Sequence, residues 1–255
     1  MQDRQSLRIG CVKYLNARPL IYDWPRELVL DHPSALCSRL ARGELDVALV
    51  SSFEFLRNPI YRIVDGVSIS SDGPVYSVVV AHRGKFADVK EIALDPAAET
   101  SGNLLRCLLD KLNLSPRIGS TSSVSEASAR LLIGDQAIRF RQQHANEFQF
   151  WDLGEQWKKL CGLPFVYALW LVRPEVKNPK SIAVRLRALR DENLSHLDNL
   201  IGDKKEFDHV FCDFYYRLHL RFSFGDDEKE GLRAFAELCQ RHELLPKREI
   251  TFSVV

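Results

Sequence analysis

The residues of this chain best placed to do chemistry are uncharged polar groups at strand-to-helix junctions. They are Asn16, the pair Ser51 and Ser52, the pair Thr100 and Ser101, and the run Ser120-Thr121-Ser122-Ser123. Each sets a hydroxyl or an amide beside the free N–H groups of a predicted helix N-terminus, where the helix dipole also favours an anion. Any one of them alone reads as an ordinary cap. Several converging on one cleft would make a site for a carboxylate-bearing ligand. Ser77 adds a hydroxyl on an apolar strand pattern nearby. Other chemistries lack their signatures: the sequence has no G-x-G-x-x-G, Walker A, H-E-x-x-H, G-x-S-x-G or EF-hand pattern. The seven histidines are scattered without ligand spacing, so no metal site is expected. The six cysteines form no C-x-x-C pair and read as buried free thiols of a reducing cytoplasm.

The elements that must carry these groups follow from periodicity. Over the first two-thirds, short β-like runs alternate with short amphipathic helices, which is the pattern of an α/β fold. Strands are predicted at 7–15, 28–30, 46–50, 61–69, 75–81, 91–94, 148–153 and 165–172. Helices are predicted after Asn16, from Ser34 to Gly43, after Ser51, from Thr100 through Leu112, over 123–131 and over 154–160. From Asn178 onward the pattern is helical only, over 179–200, 204–220 and 226–244. A weak internal echo relates Leu40-Ala-Arg-Gly43-Glu-Leu-Asp46-Val-Ala48-Leu to Ala129-Arg-Leu-Leu-Ile-Gly134-Asp135-Gln-Ala137-Ile, with a different Gly-to-Asp spacing; each reads as a helix end entering a strand at a Gly, the default C-cap.

Two long apolar strands, 75–82 and 165–173, bracket the second α/β set. If each crosses between lobes, the chain forms a two-lobed fold of the type-II periplasmic-binding-protein kind, with a two-strand hinge and a helical C-terminal region. Residues 1–82 plus 174–255 would then form lobe 1 and 83–173 lobe 2, with a small ligand held between them. A single α/β domain with a helical tail fits the same periodicity.

Composition narrows the partners. The 255 residues include 35 Lys and Arg against 34 Asp and Glu, a formal charge of +1, spread along the chain. Nucleic-acid modules usually concentrate a basic surplus, so no such partner is expected. The N-terminal residues lack an apolar signal core, and the longest uncharged apolar stretch, 160–172, is too short for a bilayer and holds Gly162 and Pro164. A cytoplasmic protein without a membrane partner is expected. The exposed faces of the C-terminal helices suit either a homodimer surface or solvent.

Five segments together resemble one family. They are Ile9-Gly-x-Val-x-Tyr14-Leu-Asn16-Ala-x-Pro19-Leu, Leu40-x-x-Gly43-x-x-Asp46-Val-Ala, Ser70-Ser-Asp-Gly-Pro-Val-x-Ser77-Val, Leu132-Ile-Gly134-Asp135-x-Ala, and Asp152-Leu-Gly-Glu-x-Trp157 followed by Gly162-Leu-Pro-Phe-Val. In this order they resemble the chorismate dehydratases of the futalosine route to menaquinone, over roughly two-thirds of the chain. The helical tail matches no motif. The resemblance implies a two-lobed binding-protein fold, a cytoplasmic enzyme without a cofactor, and loss of water from chorismate to give 3-[(1-carboxyvinyl)oxy]benzoate. It implies catalytic roles for Asn16 and Ser77 and substrate contacts from Ser51, Ser52, Thr100, Ser101, Gly134 and Asp135. One departure stands out. The family usually reads Ser-Arg-Thr-Ser where this chain has Ala98-Glu99-Thr100-Ser101. Glu99 must therefore point away, be neutralised, or mark an altered substrate.

The motif positions offer no good general base, since Asp135 and Asp152 read as turn or cap residues. The substrate's own enolpyruvyl carboxylate is then the expected proton acceptor. Trp151, Trp157 and Trp170 read as core or cleft wall. Rival functions are a non-catalytic receptor for small carboxylates, the sister enzyme that makes a dihydroxynaphthoate, and the effector domain of a regulator.

Overall fold

The computed structural model describes residues 7–94, 98–120, 129–203 and 206–255. The strands are β1 (Ile9–Val12), β2 (Val29–Asp31), β3 (Val47–Ser51), β4 (Arg62–Ser71), β5 (Val78–His82), β6 (Glu91–Leu94), β7 (Arg117–Ser120), β8 (Ala129–Ile133), β9 (Gln149–Asp152) and β10 (Phe165–Val172). Helices interleave with them: α1 (Pro33–Ala41), α2 (Ser52–Arg57), α3 (Glu99–Lys111), α4 (Gly134–Gln143) and α5 (Leu153–Cys161). A 3₁₀ turn, Leu15–Leu20, follows β1. The C-terminal region holds α6 (Pro179–Ser195), α7 (Leu197–Gly202), α8 (His209–Phe214), a π-helical turn Tyr215–His219, and α9 (Asp226–Arg241).

Apolar runs such as Val47-Ala-Leu-Val50 are buried on both faces and form the centres of two five-stranded sheets. The first has the order β2-β1-β3-β10-β4, with β10 antiparallel to both neighbours. The second has the order β7-β6-β8-β5-β9, and there β5 is the antiparallel strand. The two lobes thus share one topology: three parallel strands, then an antiparallel strand, then an edge.

This register exchanges the two bracketing strands relative to the division expected from sequence. Strand 75–82 was expected in lobe 1, but β5 pairs with β8 and β9 in the second sheet. Strand 165–173 was expected in lobe 2, but β10 lies between β3 and β4 in the first. The chain crosses between sheets in the short segments 72–77 and 162–164 that precede these strands. An apolar run of either parentage looks alike in sequence, so only the pairing decides.

The echo around Gly134 also changes. Residues 129–133 form strand β8, and Gly134 opens helix α4, so this Gly is not a helix C-cap entering a strand. The predicted helix 123–131 ends inside β8; its residues 123–128 lie outside the described residues. The sequence echo is therefore not a structural repeat, because Gly43 follows α1 and leads into β3 whereas Gly134 follows β8 and opens α4; the two sheets correspond through their strand order instead.

The C-terminal helices hold the lobes together from behind. α6 packs on β4 and the 3₁₀ turn, while α9 packs on β10 and reaches α3 of the second lobe. Its Cys239 sulfur lies 4.0 Å from that of Cys107, both as free thiols. α9 also presses on the second crossover. A Cβ on Gly231 would stand 2.1 Å from the Pro164 carbonyl oxygen, so only glycine fits there. No helix among the described residues is long and apolar enough to cross a membrane.

Candidate active site

A cleft of about 630 Å³, open mouth included, separates the two lobes. It sits where β1, β3, β6 and β8 end at their carboxyl edges, the usual ligand position in open α/β sheets. Asn16, Ser51, Thr100, Ser101 and Gly134 line it, together with Tyr14, Tyr167 and Glu99. Five of the eight residues singled out from sequence therefore share one cavity. Ser52, Ser77 and Asp135 stand behind its wall, and of the serine run at 120–123, residues 121–123 lie outside the described residues.

Asn16 occupies the 3₁₀ turn that leaves β1. Its side-chain oxygen is buried and has no hydrogen-bond partner. A buried carbonyl oxygen left unpaired costs roughly 1–3 kcal/mol, so a ligand donor at this point would recover a real deficit. From the first lobe, the Ser51 hydroxyl meets the Thr100 hydroxyl of the second, and the Phe53 N–H donates to the same Thr100 oxygen at 3.3 Å. Thr100 and Ser101 lie in the first turn of the 13-residue helix α3, whose leading N–H groups have no helical carbonyl to bond. Their partial positive charge faces the cavity.

The three residues behind the wall hold it in place. The Ser52 hydroxyl donates to the Val166 carbonyl at 2.7 Å, fastening α2 to β10. Asp135 accepts the Leu15 N–H at 2.7 Å, linking α4 of the second lobe to the turn that carries Asn16. Ser77 is fully buried; its hydroxyl oxygen accepts from Tyr215 at 2.7 Å and its carbonyl accepts the Gly134 N–H at 2.8 Å. Gly134 has φ +58°, and a Cβ there would lie 2.9 Å from the Tyr14 ring. The bare glycine lets that ring lie against the start of α4.

Glu99 is among the residues lining the cleft and is neutralised: its carboxylate pairs with Arg57 of α2 at 2.5 Å, and the same guanidinium pairs with Glu54, which is 1% exposed. Burial pushes the Glu99 carboxyl above the usual glutamate range, Arg57 pulls it back, and Glu54 adds to the rise. Arg57 was invisible to motif reading, although its i,i+3 spacing from Glu54 on a short predicted helix is a signal of ion pairing.

Several sequence readings resolve here. Asp152 caps α5 through the Gly154 and Glu155 N–H groups and also accepts from Val75 and Tyr76 of the first crossover. Trp157 and Trp170 are core, Trp151 stacks on Phe86 at 4.1 Å, and none of the three lines the cleft. The aromatic walls are Tyr14 and Tyr167. Burial raises the Tyr167 phenol well above its ordinary value, so it stays protonated. Among the described residues no group of three His, Cys, Asp or Glu side chains could hold a metal ion.

Comparison with known proteins places the chain. Residues 7–241 match the menaquinone biosynthesis family. The chorismate dehydratase of Thermus thermophilus is 29% identical over 253 residues, covering 90% of this chain and 93% of that protein. A crystal structure of a protein from Archaeoglobus fulgidus superposes with a TM-score of 0.70 at 17% identity, covering 94% of this chain and 98% of the other. The periplasmic aliphatic sulphonate binding protein SsuA of Escherichia coli superposes with a TM-score of 0.64 at 14% identity, covering 94% of each chain. The two structural likenesses show the fold, a two-lobed periplasmic-binding-protein-like architecture. Since the match runs through both lobes and into the last helix, the chain belongs to the menaquinone biosynthesis family.

Proposed function

We propose that this protein is a chorismate dehydratase, removing water from chorismate to give 3-[(1-carboxyvinyl)oxy]benzoate. The observation that carries the reading is the convergence of Asn16, Ser51, Thr100 and Ser101 on one interlobe cleft, in a chain that resembles an enzyme of that name over 90% of its length. Chorismate carries a ring carboxylate and an enolpyruvyl carboxylate. Uncharged donors from both lobes suit such a guest.

The chemistry follows from the substrate. The hydrogen on the ether-bearing ring carbon is vinylogous to the ring carboxylate, so its loss pushes an electron pair toward that carboxylate. Return of the pair expels the neighbouring hydroxyl as hydroxide, and the ring becomes aromatic. One proton and one hydroxide leave, so the step balances without an oxidant or reductant. The N–H groups of α3, with the Thr100 and Ser101 hydroxyls, stabilise the charge on the ring carboxylate. One preorganised donor of this kind is worth about 3–4 kcal/mol in well-studied enzymes.

Glu99, the one acid on the described cleft wall, is committed to Arg57. The substrate's enolpyruvyl carboxylate therefore takes the proton. Asn16 holds the reactive conformer through hydrogen bonds with the departing hydroxyl, and Ser77 supports it from behind the wall. Positioning of this kind supplies much of the acceleration.

Incubating the purified protein with chorismate and following the mixture by proton NMR tests the assignment. The expected result is loss of the ring-diene signals with growth of a meta-substituted benzoate. Binding of chorismate without consumption would instead mean a receptor, and indifference to chorismate would favour the sister enzyme.

A further inference from the structure

The C-terminal helices hold none of the five resembling segments, yet two of their residues reach the site from behind. After α8 the chain widens into the π-helical turn Tyr215–His219, a form of helix often found at functional sites. Tyr215 and Tyr216 are 0% and 3% exposed, while Val210, Phe214 and Leu218 of the same stretch face solvent. Being consecutive, the two tyrosines diverge around the helix and address different segments.

The Tyr216 hydroxyl donates to the Leu15 carbonyl at 3.0 Å. Because Asp135 takes the Leu15 N–H at 2.7 Å, the residue immediately before Asn16 is held at both its peptide groups. The Tyr215 hydroxyl donates to Ser77 Oγ at 2.7 Å, and the Ser77 carbonyl in turn holds the Gly134 N–H. A third bond from the same turn joins His219 Nδ1 to the Pro74 carbonyl at 2.7 Å, in the first crossover. Neither tyrosine lines the cleft. Burial pushes both phenols above their ordinary range, so both remain hydrogen-bond donors.

We propose that Tyr215 and Tyr216 are positioning residues of the dehydration site, Tyr216 fixing the Leu15–Asn16 turn and Tyr215 fixing the Ser77–Gly134 contact. This rests on the dehydratase reading of the cleft and gives the C-terminal helices a part in it. The tail braces the catalytic turn of one lobe and the entry to α4 of the other from a single helical turn.

The test removes one oxygen at a time. Y216F and Y215F should each lower kcat about 10-fold with KM within about twofold, since small misplacements near reacting atoms are costly. Y22F, which loses an exposed tyrosine hydroxyl bonded to Asp203, should leave kcat unchanged. In an N16A background, Y216F should cost less than about twofold, because its effect passes through Asn16. The same factor in N16A as in the wild type would overturn the positioning role, as would full kcat in both single variants. A readout independent of turnover is the Asn16 side-chain amide signal in nitrogen–proton NMR, assigned by its loss in N16A. It should shift in Y216F and stay in place in Y22F; a signal unmoved by Y216F overturns the proposal. A wild-type protein that ignores chorismate would defeat the dehydratase reading itself, while the amide shift still decides whether Tyr216 holds Asn16.

Discussion

Two residues of the cleft wall carry demands that single substitutions expose. Gly134 combines φ +58° with the Tyr14 ring at Cβ distance 2.9 Å. Gly134→Ala should destabilise the fold by about 1–2 kcal/mol, from backbone strain and the displaced ring. It should also raise KM, because Tyr14 is pushed toward the space the substrate occupies; thermal melts and steady-state rates check both. Glu99 has a pH signature. Burial holds its proton more tightly in the folded chain than in the unfolded one, whose carboxyl titrates near 4.5. The unfolded state therefore ionises first as pH rises, and stability falls from about 4.5 upward until the folded carboxyl has also lost its proton. Glu99→Gln has no proton to lose, so its melting temperature should vary less with pH over that window. Melts of both proteins at matched ionic strength check the sign. A wild-type melting temperature that instead gains on the variant's as pH rises toward about 4.5 would mean that the Arg57 pairing outweighs burial.

Among the elements, α3 does the most, since it brings free N–H groups and two hydroxyls to the cavity at once. Thr100→Val keeps the shape and deletes the hydroxyl that Ser51 and the Phe53 N–H share. A net hydrogen bond contributes about 0.5–1.5 kcal/mol, so KM for chorismate should rise by up to about 10-fold. What was legible in the sequence was also decided at this level. Hydroxyls and Asn16 stood at junctions whose cap-like composition is local, and five of the eight selected residues share the cleft. Ser52, Ser77 and Asp135 were readable as candidates but not as hidden, because which way a side chain turns depends on partners up to 138 residues away. Strand β8 was missed since Ala129-Arg-Leu-Leu-Ile133 is too short for its period to separate strand from helix, and a glycine next to it imitates a C-cap. The tyrosines of the π turn carried no signal beyond aromatic packing.

At the scale of the molecule, two sheets of equal topology face one cavity, and the C-terminal helices tie them together. The expected lobe boundaries failed at β5 and β10 because pairing between distant strands is not written in local pattern. A ligand gripped by both lobes should stabilise the whole chain. Product at about 100 times its dissociation constant should add about 2.7 kcal/mol, a rise in melting temperature of roughly 5–10 °C. A scanning fluorimetry series over product concentration measures it. Saturation without any shift would mean that the ligand does not prefer the folded cleft.

In the proposed mechanism the cleft supplies position and neutral donors while the guest supplies the base. Chorismate amidated at its enolpyruvyl carboxylate tests this most directly, because it keeps the shape and the ring carboxylate but has no carboxylate to accept the proton. Stopped-time NMR of the enzyme with each compound should show rapid aromatisation of chorismate and a loss of at least about 100-fold for the amide, with the amide still occupying the cleft as a competitive inhibitor. Aromatisation of the amide at the rate of chorismate would contradict the account and place the base on the protein.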